Sequence, residues 1–171
     1  GKSTFFNRVL SKRSAIVDPQ EGITRDRIYG EMEWNGQNLK FIDTGGFIYD
    51  DKGDFNNAVR IQANEAICEA HLVILMVDGK QGVMPNDKIL ANTIRKANKY
   101  SLIAVNKCDE HNSDNLVHQF YELGIRDILP LSSLNGRLTG DLLDKILKKL
   151  NAGKNKANLK IKPKIKIAIV G

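Results

Sequence analysis

The segment Ser101-Leu102-Ile103-Ala104-Val105-Asn106-Lys107-Cys108-Asp109 runs from consecutive apolar residues straight into a polar tetrad. Leu102 to Val105 is too short for a helix and has no polar face, the composition of a strand buried on both sides, as strands are in parallel sheets. Upstream, Leu72 to Val77 repeats the design and ends on Asp78-Gly79. A helical pattern from about Asn86 to Ala97 lies between the two runs, and another from about Phe55 to Glu69 precedes the first. Downstream come a helix near Asp114 to Leu123, a strand near Asp127 to Leu131 and a helix from Gly140 to Leu150. Strands alternating with helices predict an α/β domain whose mainly parallel sheet is covered on both faces.

Towards the N-terminus the pattern changes. Ile28 to Trp34 and Leu39 to Asp43 alternate apolar with polar residues and are joined by Asn35-Gly36, the strongest short hairpin signal. Ahead of them, Ser3 to Leu10 sets Phe6, Val9 and Leu10 on one face of a helix, so the chain opens on a helix. At the other end, Asn151 to Pro163 is rich in Asn, Lys and Gly and reads as a linker. Ile165 to Val170 then has strand composition with no helix after it. The expected division is a domain over residues 1–150, a basic linker over 151–163 and a separate strand over 164–171.

The net charge of +6 is localised. Lys154, Lys156, Lys160, Lys162, Lys164 and Lys166 fall in the final stretch, which has no acid, and the remaining 20 basic side chains match 20 acidic ones. Such a run is either a solvated linker or a contact for RNA. Cys68 and Cys108 lie far apart, with neither a CxxC nor a histidine at metal spacing, so no disulfide framework or zinc site is implied. No apolar run is long enough to span a bilayer and the first residues lack a signal-peptide layout, so a cytoplasmic location without membrane contact is expected.

In open α/β sheets, ligands bind beyond the C-terminal ends of the strands. Polar motifs stand at those ends. Gly1-Lys2-Ser3-Thr4 matches the close of a phosphate loop: glycine admits the backbone, Lys2 meets the β- and γ-phosphates and the Ser3 hydroxyl can bind magnesium. Alone it is also an ordinary capped helix start. Asp43-Thr44-Gly45-Gly46 fits DxxG, in which Asp43 supports the magnesium shell and the Gly46 amide senses the γ-phosphate. Asn106-Lys107-Cys108-Asp109 fits NKxD, and its chemistry is more specific. A carboxylate at Asp109 accepts from N1–H and the 2-amine of guanine, whereas adenine presents an acceptor at N1. Lys107 can lie along the base, and Asn106 can tie neighbouring loops together. Ser132-Ser133-Leu134, after the last of these strands, would offer backbone N–H groups to the guanine O6. Thr24, in the loop after the first helix, is the natural second hydroxyl ligand for magnesium. Each piece alone could be a turn; together, and in this order, they read as a P-loop NTPase-type G domain.

Asp18-Pro19, Gly22, Thr24-Arg25-Asp26-Arg27, Tyr29-Gly30-Glu31, Trp34, Asp43-Thr44-Gly45-Gly46, Val77-Asp78-Gly79, Asn106-Lys107 and Gly140-Asp141-Leu142-Leu143 together resemble the first G domain of the Der (EngA) tandem-GTPase family. The resemblance covers nearly all of residues 1–150. It implies GTP hydrolysis with magnesium in assembly of the large ribosomal subunit, and a ribosomal RNA partner for the intact protein. Lys2, Thr24 and Gly46 would take the catalytic roles. Phe47 follows the DxxG motif where many GTPases carry a water-orienting glutamine; in this family potassium is thought to assist instead. His71 and Ser133 depart from an acidic residue and an alanine that are common at these places.

In that family a second G domain follows through a charged linker, and its opening strand reads much like Lys164 to Gly171. The expectation is therefore a first G domain without its own first strand and most of its phosphate loop, followed by the first strand of a second. Ile165 to Val170 is expected to fill the central slot between Leu39 to Asp43 and Leu72 to Val77, in its own chain or in a neighbour's. The alternative function is a fragment without appreciable nucleotide binding that acts, if at all, as a basic RNA-interacting module.

Overall fold

The computed structural model describes residues 1–11, 17–18, 28–44, 63–152 and 164–171. In chain order these form helix α1 (Lys2–Ser11) and strands β1 (Val17–Asp18), β2 (Ile28–Trp34) and β3 (Gln37–Asp43). Helix α2 (63–69), β4 (Leu72–Asp78), α3 (Pro85–Lys96) and β5 (Tyr100–Asn106) follow. A 3-10 helix (His111–Leu123), β6 (Ile128–Pro130), α4 (Thr139–Ala152) and β7 (Ile165–Val170) complete the described chain. Of the expected helix from Phe55 to Glu69, the part before Ala63 lies outside the described residues, as do Thr24, Gly46, Phe47 and most of the 151–163 stretch; α4 extends two residues into that stretch.

The sheet order is β1-β2-β3-β7-β4-β5-β6. β7 is parallel to both neighbours, with Ile167 opposite Phe41 on one side and Leu72 on the other. Ile165 to Val170 thus occupies the central slot, in its own chain. The reason lies in its two faces. Ile165, Ile167 and Ile169 join the core formed with Phe5, Phe6 and Val9 of α1 and Leu143 and Ile146 of α4. Ala168 and Val170 join the opposite core, with Ile67 of α2, Ile94 of α3 and Phe120 of the 3-10 helix. A strand that is apolar on both faces gains most from a slot with a strand on each side.

The hairpin forms as its turn residues dictate: Asn35 and Gly36 both take positive φ, 47° and 74°, as a type I′ turn requires. Its tip is anchored to α4, where Asp144 accepts from Trp34 Nε1 at 2.8 Å and Asn35 Nδ2 at 3.0 Å. Two features differ from the sequence reading. The short strand β1 adds an antiparallel edge to β2. The segment read as a helix near Asp114 to Leu123 is 3-10 throughout. Val117, Phe120 and Leu123 recur every third residue, and a helix with three residues per turn stacks that spacing into one stripe.

His71, which departs from the acidic residue common before this strand, extends the β7 ladder. Its N–H donates to the Lys166 carbonyl at 2.9 Å, and the Lys166 N–H returns a bond to His71 Nδ1 at 3.0 Å.

Candidate functional site

The ends of β3, β7, β4 and β5 and the start of α1 meet at one edge of the sheet. A cleft of about 240 Å³ opens there, lined in part by Gly1, Lys2, Asp78, Asn106, Lys107 and Gly171. Lys2 opens α1 and reaches the end of β3. Its ammonium lies 3.5 Å from an Asp43 oxygen and donates to the Thr44 hydroxyl at 3.3 Å. Thr44 donates in turn to the Ile169 carbonyl at 3.0 Å, so β7 braces this corner. Burial pushes the Lys2 ammonium below its ordinary pKa, and Asp43 only partly offsets this. An anion placed here would favour the charged lysine. Ser3 and Thr4 lie exposed on the first turn of the same helix.

The NKxD residues take up three different roles. Asn106 is buried; its Oδ1 accepts from the Ser133 N–H at 2.9 Å. Its Nδ2 packs so closely on Gly1 that a Cβ there would lie 2.6 Å away. One side chain therefore links the α1 start to the loop after β6. Lys107, at φ 68°, sends its ammonium to Asp78 Oδ2 at 2.5 Å. Burial works against ionisation of Asp78, but the Lys107 hydrogen bond and the Lys80 and Gln81 amides hold its carboxyl below the usual range. Asp109 stands partly exposed outside the cleft lining. Oδ1 accepts from the Ser132 hydroxyl at 2.7 Å and Oδ2 from the Lys80 ammonium at 3.1 Å. Those two bonds hold its carboxyl below the usual range, so it is an acceptor without a proton.

The loop after β6 uses most of its own donors. The Ser132 N–H bonds to the Arg137 carbonyl at 3.1 Å, and the Asn135 N–H to the Ser132 hydroxyl at 3.2 Å. With the Ser133 N–H committed to Asn106, Leu134 keeps its N–H without a partner among the described residues. Arg137 braces the loop from beneath. It makes a two-pronged pair with Asp114, each bond 2.7 Å, and donates to the Cys108 carbonyl at 3.2 Å. Asn135 Nδ2 reaches the Asp109 carbonyl at 3.1 Å. Cys108 itself is buried, and burial pushes its thiol up, so it stays protonated and inert.

The structure thus gathers Gly1, Lys2, Asp43, Asn106, Lys107, Asp109, Ser132, Ser133 and Leu134 along one edge. Residues that the sequence reading passed over are Thr44, Lys80, Asn135, Arg137 and Arg8. Thr44 falls on an unspecified position of the DxxG stretch, and the others act through contacts between segments far apart in sequence that no local motif signals.

Residues 1–107 match the family described as 50S ribosome-binding GTPase. The chain belongs to that family. Within it the homology is to GTPase Der: the relative from Pelotomaculum thermopropionicum is 42% identical over 172 residues, taking in 100% of this chain and 38% of the relative. The chain therefore spans little more than a third of the length of the curated relatives it matches. Among solved structures, Era from Aquifex aeolicus bound to GDP and AlF4⁻ superposes with a TM-score of 0.69 and 29% identity, covering 94% of this chain and 56% of that one. Era in complex with MgGDPNP and a piece of 16S ribosomal RNA gives 0.67 and 27%, with the same 94% and 56% coverage. The mostly parallel sheet flanked by helices is a P-loop G-domain fold, which in general binds GTP or GDP and magnesium. Among the described residues no helix is long and apolar enough to cross a membrane.

Proposed function

We propose that this domain binds GTP and GDP with guanine selectivity and hydrolyses GTP with magnesium, as the nucleotide-binding unit of a ribosome-assembly GTPase. The observation that carries the reading is the Asp109 carboxylate, kept ionised by Ser132 and Lys80 at the same sheet edge as the partly buried Lys2 ammonium. Each Asp109 oxygen has a further lone pair. Guanine fills them with N1–H and its 2-amine. Adenine would set its N1 lone pair against the carboxylate, a mismatch that leaves polar groups unpaired and is strongly rejected. Lys107, held back against Asp78, leaves its alkyl stem to lie along the base.

At the other end, Lys2 meets the β- and γ-phosphates, and their charge restores the protonation that burial disfavours. The Ser3 and Thr24 hydroxyls would hold magnesium, with Asp43 supporting its shell. The ion would neutralise charge on the phosphate oxygens. The Gly46 amide would sense the γ-phosphate. In the intact protein, potassium would add to that charge, and the partner would be ribosomal RNA, as the Era complex with 16S RNA suggests by analogy. The lysines between Lys154 and Lys166 would contribute to that contact.

The test is titration of a fluorescent GDP analogue into the whole chain with and without magnesium, competed with unlabelled GTP or ATP. Saturable binding displaced by GTP and not by ATP supports the reading. The absence of a saturable signal at high protein concentration would leave the RNA-interacting fragment as the better account.

A further inference from the structure

The loop after β6 is gripped from a second side, by a residue of the helix that opens the phosphate end. Arg8, on α1, donates from Nε to the Ser133 carbonyl at 2.6 Å and from a terminal guanidinium nitrogen to the Leu134 carbonyl. A guanidinium is planar and its donors are fixed in a fork, so two adjacent carbonyls bound to it are held in one orientation. The Ser133 carbonyl and the Leu134 N–H belong to the same peptide unit. In a trans peptide these two groups point in opposite directions. Holding the carbonyl towards α1 therefore aims the Leu134 N–H away from α1.

Of the four N–H groups of Ser132 to Asn135, that one alone has no partner among the described residues. Ser132 gives its N–H to Arg137, Ser133 to Asn106 and Asn135 to the Ser132 hydroxyl. The Ser132 hydroxyl also donates to Asp109, so the base-recognising carboxylate in the loop after β5 is tied to the loop that carries the free donor. Guanine carries its O6 on the ring edge that also carries N1–H and the 2-amine. A group that recognises O6 must therefore stand beside the one that recognises the other two.

We propose that Arg8 is a positioning residue for guanine, acting through the Ser133–Leu134 peptide to present the Leu134 N–H to O6. The proposal rests on the guanine-nucleotide reading above. It gives α1 a second role, because the helix that places Lys2 on the phosphates also sets the angle of a base contact.

Three diphosphates separate this role from a general one. GDP has O6. Its 6-thio analogue keeps N1–H and the 2-amine but replaces O6 with sulfur, a weaker acceptor. IDP keeps O6 but lacks the 2-amine that Asp109 reads. Affinities for all three are measured with the whole chain and with Arg8→Met and Arg8→Lys. Arg8→Met should lower GDP affinity about tenfold, the scale of one well-made hydrogen bond. It should bring the ratio of GDP to 6-thio-GDP close to one and leave the ratio of GDP to IDP unchanged. Arg8→Lys keeps a charged donor group without the planar fork and should fall between. Equal losses for all three nucleotides, or no loss for GDP, would overturn the proposal. If Arg8→Met does not fold, the same shift in the sulfur ratio alone, read in Arg8→Lys, supports it, and an unshifted ratio overturns it. Failure of the parent chain to bind GDP would overturn the underlying reading and this proposal with it, whereas GDP binding with unmoved ratios removes only the role of Arg8.

Discussion

The two halves of the site are built differently. The base half is braced within itself: Asp109, Ser132, Asn135 and Arg137 bind one another across the loops that follow β5 and β6. The phosphate half has no such local network among the described residues. Lys2, Asp43 and Thr44 are set by α1, β3 and the end of β7, and Thr44 leans on the Ile169 carbonyl. On the proposed reading, guanine selectivity rests mainly on loop chemistry, joined to α1 through Asn106 and Arg8, and phosphate affinity on the whole sheet. The contrast means that a substitution in the loops should act on the base half first, whereas one in the sheet should act on the whole domain.

The largest effect should come from β7. Ile167 is fully buried between β3 and β4. Ile167→Asp would bury a charge with no partner, at a cost expected to exceed about 4 kcal/mol. Since a whole domain holds only about 5–15 kcal/mol, thermal melting followed by circular dichroism should show little or no folded protein. An unchanged melting temperature would mean that β7 is not in the sheet and that the phosphate half is held by something else.

A middle-sized effect concerns pH. The folded protein penalises the charged form of Lys2, so its pKa is lowered, and the penalty is relieved as pH rises from that lowered value towards the unfolded one. Phosphate reverses the preference. Between the lowered pKa of the free protein and the higher one of the complex, binding takes up a proton, and GDP affinity should fall by up to about tenfold per pH unit. Guanosine has the same titrating ring and no phosphate, so calorimetry with it serves as the control. Equal slopes for GDP and guanosine would remove Lys2 from the phosphate half.

The smallest effect sharpens the base half. The Ser133 hydroxyl is buried and has no hydrogen-bond partner among the described residues. Ser133→Ala should raise stability by up to about 1 kcal/mol, because it removes an unsatisfied polar group. GDP affinity should not change, since only the Ser133 backbone is used. A drop in denaturation midpoint would show that the hydroxyl has a structural role.

Much of this was legible in the sequence because it is local. Leu72 to Val77 and Leu102 to Val105 have no polar face, so they are strands buried on both sides. Asn35-Gly36 prescribes its own turn. Asn106 to Asp109 carries its chemistry in adjacent residues. The central slot of Ile165 to Val170 was expected only because the strand resembles the opening strand of a second G domain; its two apolar faces explain the slot once the cores are seen. Other features could not be read this way. The 3-10 winding of His111–Leu123 competes with an α-helix over a spacing that nearly suits both. Arg8 and Arg137 look like ordinary surface cations until tertiary contacts bring Ser133 and Asp114 to them. Thr24 and Gly46 remain motif residues outside the described structure.

The most direct measurement of the central claim is base selectivity in Asp109→Asn. Xanthine carries an oxygen where guanine has its 2-amine, so an asparagine amide would donate to that oxygen and its carbonyl would still accept from N1–H. Calorimetric titration of GDP and XDP into both proteins should show the parent preferring GDP by about a hundredfold or more, and the variant preferring XDP. A variant that keeps the parent's preference for GDP would contradict the assignment of Asp109 as the residue that reads the base.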